Sequence, residues 1–292
     1  MRLRAAIDAY LEFVEGRSDT RKTWLRARGV LSRFYQVAGN KLLDNLTPFD
    51  VSAYLAECRR LGNKKSTRDT NVKLLSGYWK WCQESEITER RSPIRSIHRL
   101  TGVTHRPPRT LTETEQARLL LACESYAKPF ERARVRAVVT IALCCGMRRG
   151  EIAGLRLVDY EQEKHQFRVL GKGSKLRIQP IPEVAIPAIE TLVVVVKEKG
   201  FDRLVCTNTG RQVGEGSLHA MWSRLLRKAG VPHVPFHSCR HTYAIRFFEG
   251  GHNLKVIQAL LGHASLKTTE VYLQGLDVEQ AKIDAVKREF AK

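Results

Sequence analysis

Acidic residues are scarce in this chain of 292: 30 Asp and Glu stand against 50 Lys and Arg, a formal net charge of +20. The deficit runs throughout, since residues 1–109 hold 22 basic and 11 acidic side chains and the remainder 28 and 19. Such a balance suits a protein that grips a polyanion along both halves, although a merely solvated basic surface has the same composition. Cysteine is sparse and unpaired in pattern: seven residues, an odd number, with no CxxC and no histidine at ligand spacing beside them. That argues against a disulfide framework and places the chain in a reducing compartment, the cytoplasm. No apolar run reaches membrane-spanning length, the longest being Leu192–Val196, so no membrane partner is expected. Met1-Arg2-Leu3-Arg4 leads straight into an amphipathic helix, and no signal peptide is expected. There is no P-loop, no acidic metal cluster, no internal repeat and no low-complexity tract. Hydrophobic content of 43% and charged content of 27% are ordinary for a folded protein.

What is present first is helical periodicity. Leu3, Ile7, Tyr10, Leu11 and Val14 share one face, and a second helix from about Thr20 to Ala38 would bury Trp24, Leu31 and Phe34. Thr47-Pro48-Phe49-Asp50 reads as an N-cap, a Pro at N1 and an acid at N3, opening a third helix with Val51, Tyr54, Leu55 and Cys58 inward. Ser66 opens a fourth with Val72, Leu75, Trp79 and Cys82. Residues 1–100 are thus expected to form a small helical domain, with basic clusters at Arg59, Arg60, Lys64 and Lys65 and at Arg90-Arg91. Residues 101–110, with Pro107-Pro108, read as a linker, and Thr112-Glu-Thr-Glu115 as a capping box opening a second domain over 111–292. That domain is expected to be mostly helical. Its one β signal is a hairpin, Gln166–Leu170 and Leu176–Ile181, turning at Gly171-Lys172-Gly173-Ser174. Helices are expected near 183–198, 215–229, 238–249, 253–261 and 265–273, with an amphipathic tail from Val278 to Phe290. The fold class is mainly α with a small β-sheet.

The chemistry concentrates in the second domain. His237 and Arg240 lie three apart, hence on one helical face; His263 follows 26 residues after His237, and Tyr272 nine residues after that. Arginine binds phosphate oxygens in a planar fork, imidazoles donate hydrogen bonds or move protons, and a phenol can attack phosphorus. Arg148 sits between Gly146 and Gly150 at the end of an apolar helix whose Cys144-Cys145 reads as core. Glu151 either orients Arg148 or forms a structural ion pair with it. Lys172 at a hairpin tip reaches outward, as an active group or as a solvated turn residue.

Taken in order, Arg148, Lys172, His237, Arg240, His263 and Tyr272 resemble the tyrosine recombinase, or phage-integrase-type, family: an Arg in a Gly-rich junction, a Lys on a β-hairpin, His-x-x-Arg, Leu-Gly-His, then Tyr. The resemblance covers residues 112–275 by motif and the preceding helical domain by architecture. Glu151 matches the acidic support position; Arg149-Gly150 departs from the apolar residue and Ser of many members. The resemblance implies an N-terminal helical-bundle, core-binding (SAM-like) domain, a mixed, mostly helical catalytic domain, and site-specific strand exchange on double-stranded DNA through a 3′-phosphotyrosyl intermediate. It also implies that neither metal nor ATP is required, and that homotetramers form on two duplexes, with the tail 278–290 docked on a neighbouring protomer or on its own domain. In that scheme Tyr272 is the nucleophile, Lys172 the general acid, His237 a proton carrier and His263 a donor to phosphate; Arg148 and Arg240 clamp the phosphate. Arg59, Arg60, Lys64, Lys65, Arg149 and Lys175 would contact DNA. With the first helix starting near Met1, no arm-binding domain is expected, and the likeness is to Xer-type, integron or simple transposon recombinases. A type IB topoisomerase shares the residue set but fits the two-domain size less well. A pure DNA-binding protein would leave Lys172, His263 and Tyr272 without a common purpose.

Overall fold

Four helices account for most of the first hundred residues: α1 (Leu3–Arg17), α2 (Arg21–Ala38), α3 (Pro48–Arg60) and α4 (Lys65–Glu84). They belong to a computed structural model that describes residues 1–17, 21–95, 109–171 and 176–262. The chain divides into two units, Met1–His105 and Arg106–Lys292. In the first, Pro48 occupies the start of α3 and Asp50 reaches back to accept the Thr47 N–H at 2.8 Å, satisfying a donor that the helix leaves open. The four apolar stripes meet in one cluster that includes Leu3, Leu31, Phe34, Tyr54, Leu75 and Trp79. A buried polar contact holds α4 to α3, with Asn71 Nδ2 donating to Tyr54 Oη at 3.1 Å. Trp24 departs from expectation. It is only half-buried, because it lies in the first turn of α2, ahead of the first buried residue of that helix, Ala27, and Arg28 stacks over its ring.

The second unit is built around α6 (Pro129–Cys144), preceded by α5 (Glu113–Cys123) and followed by the short α7 (Arg149–Gly154). The α5 capping box is reciprocal: Glu115 N–H donates to Thr112 Oγ1 at 3.2 Å, and Thr112 N–H donates to Glu115 Oε2 at 3.0 Å. Every residue of α6 from Ala137 to Leu143 is buried, the signature of a helix enclosed on all sides. Cys145 is buried behind it, while Cys144 is only partly covered, a correction to the expectation that both are core. Three antiparallel strands follow in the order β1 (Tyr160–Glu161), β2 (Gln166–Leu170), β3 (Leu176–Pro180). The two-residue β1 has too short a run to show alternation in sequence. Then come α8 (Ile186–Glu198), α9 (Glu215–Lys228), α10 (His237–Glu249) and α11 (Leu254–Leu261). Among the described residues no helix is long and apolar enough to cross a membrane. The expected helix at 265–273, the tail 278–290, linker residues 101–108 and the hairpin turn 172–175 lie outside the described residues.

Candidate active site

The enclosed helix α6 fixes where the chain exits, and the exit is tight. Gly146 has φ +58°, and a Cβ there would stand 2.5 Å from Tyr243 Cδ1, so only glycine fits. Gly146→Ala is expected to lower the unfolding free energy by about 2–4 kcal/mol, combining left-handed strain with overpacking, as read by urea denaturation. An unchanged midpoint would show that this corner relaxes. Two residues on, Arg148 caps α7. Its N–H donates to Glu151 Oε2 and its Nη1 to Glu151 Oε1, both at 2.8 Å. Glu151 also receives a second guanidinium, with Arg177 Nη1 and Nη2 at 3.0 and 2.9 Å. Burial alone would raise the Glu151 carboxyl, but the Arg177 hydrogen bonds and the Arg148 backbone N–H outweigh it and hold its pKa down at about 2.

Helix α10 starts at His237, and Arg240 follows one turn later, 1% exposed. Arg240 Nη1 donates to the Gly146 carbonyl at 2.8 Å, and Nη2 to the Leu261 carbonyl at the end of α11. The next residue, Gly262, caps α11 at φ +60°, and its carbonyl accepts Arg148 Nη2 at 3.1 Å. The two arginines are therefore cross-braced. Each is held by a carbonyl at the C-terminal end of α11, where the helix leaves acceptors open and its dipole favours cations. His237 is exposed as a residue, yet crowding by protein, then the charges of Arg240, Arg148 and His241, push its pKa well below the ordinary imidazole value. Arg148, Glu151 and His237 face one open cleft of about 740 Å³. Gly171, the residue before Lys172, lines it too. Arg240 sits behind it. Lys172, His263, Tyr272 and Lys175 lie outside the described residues. Among the described residues no group of three or more His, Cys, Asp and Glu side chains could hold a metal ion.

Residues 109–278 match the model of the phage integrase family. The chain belongs to the phage integrase family. Its relatives include the tyrosine recombinase XerC of Chlamydia pneumoniae, 30% identical over 267 residues that cover 87% of this chain and 84% of that protein. Its fold is that of the XerH site-specific recombinase bound to a palindromic difH substrate, with TM-score 0.78 and 19% identity over 98% of this chain and 96% of that one. It is also similar to a lambda integrase tetramer bound to a Holliday junction, with TM-score 0.73 and 18% identity over 93% and 77% of the two chains.

Within this member of the phage integrase family, the basic residues of the first unit cluster as expected by position. Arg59, Arg60, Lys64 and Lys65 are all exposed where α3 hands over to α4, and Arg60 is held by Glu57 through two contacts of 2.7 Å. Arg149 lines the cleft but its Nη2 donates to Glu215 Oε2 at 2.9 Å, so its charge is partly offset. Arg177, Glu215, His219 and His233 belong to none of the motifs legible in the sequence, yet the last three also line the cleft. His219 lies one turn after Glu215 on α9, a spacing that marks a shared face once the helix is known. Nothing in the sequence pairs that face with Arg149.

Proposed function

We propose that this tyrosine recombinase cleaves and rejoins DNA through a covalent 3′-phosphotyrosyl intermediate formed by Tyr272. The observation that carries the reading is the bracing of Arg148 and Arg240 across the end of α11, beside a His237 held toward its neutral form. Tyr272 Oη attacks the scissile phosphorus and its proton passes to neutral His237. The bond to the 5′-oxygen breaks, and Lys172 protonates that oxygen as it leaves. Negative charge collects on the non-bridging oxygens of the phosphorane. Arg148 meets them from the cleft, and Arg240 joins by turning a donor from the Leu261 carbonyl to phosphate on binding. His263 donates to the same phosphate. The 5′-hydroxyl of a partner strand reverses the sequence, so bond energy is conserved in the phosphotyrosine and neither ATP nor metal takes part. The exposed cluster at Arg59, Arg60, Lys64 and Lys65, with Arg149 and Lys175, grips the duplex backbone. A tetramer on two duplexes completes the exchange, with the tail 278–290 docking on a neighbour; the lambda integrase tetramer bound to a Holliday junction supports that assembly. Residues 1–100 and 111–292 act as core-binding and catalytic domains joined at 101–110. The seven free cysteines fit action in the cytoplasm.

The test is covalent trapping. Incubated in EDTA with nicked duplexes taken from DNA flanking its gene, the protein is expected to leave an SDS-resistant adduct at one site. Tight binding with no adduct on any such duplex would make it a DNA-binding protein that does not cut.

The lowered pKa of His237 sets a pH prediction. A base whose pKa falls stays neutral to lower pH, so the acid limb of kcat/KM for adduct formation is expected below the ordinary imidazole value of about 6.5. Half-maximal kcat/KM at or above pH 6.5 would remove His237 from the role of proton acceptor.

A further inference from the structure

We propose that Arg177 is a positioning residue that neutralises Glu151, so that Arg148 meets the phosphate with its positive charge undiminished. The inference rests on the recombinase reading of Arg148 given above, and three observations carry it.

The first is charge. Glu151 is 7% exposed, and its two oxygens contact Arg148 and Arg177 together. Arg148 and Glu151 alone would sum to zero, leaving a buried carboxylate beside the place where an anion must sit. With Arg177 the group carries +1. A phosphodiester holds one negative charge and its phosphorane two, and in a shielded site an offset of one unit is felt strongly.

The second is access. Arg177 is 14% exposed against 34% for Arg148, and both its terminal nitrogens are committed to Glu151. Its stem lies against Gly262: a Cβ at that position would come within 2.9 Å of Arg177 Cδ. The same glycine's carbonyl holds Arg148 Nη2. Arg177 therefore supports both anchors of Arg148 without itself facing the cleft, and it is absent from the cleft lining.

The third is register. On β3, Arg177 pairs with Val169 and Gln179 with Phe167, and these four side chains face the protein while Leu176 and Ile178 are exposed. A strand that turns an arginine inward and two aliphatic residues outward gives up burial for that arginine's contact. Because β3 pairs with β2, Arg177 ties both strands to the Arg148 corner.

The experiment compares adduct formation on the nicked duplex by the full chain and by Arg177→Met, Arg177→Lys, Glu151→Gln and the double variant Arg177→Met/Glu151→Gln, each with its thermal melt and DNA affinity. Arg177→Met keeps the stem against Gly262 and removes the charge. It is expected to slow adduct formation at saturating DNA by about 10- to 100-fold, the usual effect of losing an outer-layer partner, with Kd for DNA within about twofold. Adding Glu151→Gln removes the uncompensated carboxylate and is expected to recover most of that loss. A purely structural role for Arg177 predicts the opposite, because the double variant lacks both halves of the contact. The proposal is overturned if the double variant is as slow as Arg177→Met, or if Arg177→Met matches the wild type. Should Arg177→Met fail to fold, Arg177→Lys decides. It retains the charge and is expected within about tenfold of wild type, and a loss as large as that of Arg148→Ala would overturn the idea. Wild-type adducts in the same series keep the two conclusions apart: none at all would sink the recombinase reading, whereas equal adducts from wild type and Arg177→Met would sink only this one.

Discussion

Tyr272→Phe is expected to bind nicked DNA as wild type does and to form no SDS-resistant adduct, a loss of about 10⁴-fold or more, since the proposed mechanism bonds phosphorus to the oxygen that the variant lacks. The prediction is sharp because the chain has eight tyrosines and the other seven are described. Tyr54 and Tyr78 are buried in the first unit, and burial raises both phenols. Tyr10 packs edge-on against Tyr78, and Tyr35 lies beneath the Arg4 guanidinium. Tyr126 is buried, and Tyr160 donates to Glu190 at 3.2 Å. Tyr243 is the one rival near the arginines. It is 4% exposed, its ring seals Gly146, and burial raises its pKa to about 12. An attacking phenol must reach solvent-side phosphate and shed a proton near neutral pH, and Tyr243 does neither. Tyr243→Phe is therefore expected to keep adduct formation within about threefold of wild type, the hydroxyl making no cleft contact. Adducts persisting in Tyr272→Phe and vanishing in Tyr243→Phe would move the nucleophile.

The sequence showed these elements to the extent that they obey local rules. The Thr47-Pro48-Phe49-Asp50 start of α3 and the Thr112–Glu115 box of α5 are legible because capping is a contact over three residues. The stripes of α1, α3 and α4 are legible because one face is buried. The pairing of Arg148 with Glu151 spans three residues and was visible as one of two readings. What escaped depends on contacts far apart along the chain. Arg177 reaches a carboxylate 26 residues away, and its strand runs against the hydrophobic alternation, so periodicity would bury Leu176 and Ile178 instead. Arg149 meets Glu215 66 residues on. The carbonyls of Leu261 and Gly262 carry no side-chain signature at all, yet they hold both arginines. Polar contacts to backbone at a helix end are invisible to pattern until the helices are packed.

That same bracing separates the two arginines by experiment. Arg240→Ala is expected to lose adduct formation by about 10²–10³-fold, the range for removing one donor to a developing oxyanion. It is also expected to lose about 2–6 kcal/mol of stability, because the carbonyls of Gly146 and Leu261 are left in the interior without their donor. Against a typical total of about 5–15 kcal/mol, that puts the second unit near its limit. Arg240→Lys keeps the charge but not the fork: one ammonium cannot span two carbonyls at the ends of different helices and still meet phosphate, so activity is expected to stay low while the melt partly recovers. Arg148→Ala differs. Its side chain is 34% exposed, and Glu151 retains Arg177, so no buried charge is stranded. A similar rate loss is expected with a stability change of about 1 kcal/mol or less. Measured as urea midpoints and adduct rates on the four proteins, the pattern is a shared loss of rate and a divided loss of stability. Equal destabilisation by Arg148→Ala and Arg240→Ala would mean that Arg148, too, is part of the frame, and that neither braced arginine works on the phosphate alone.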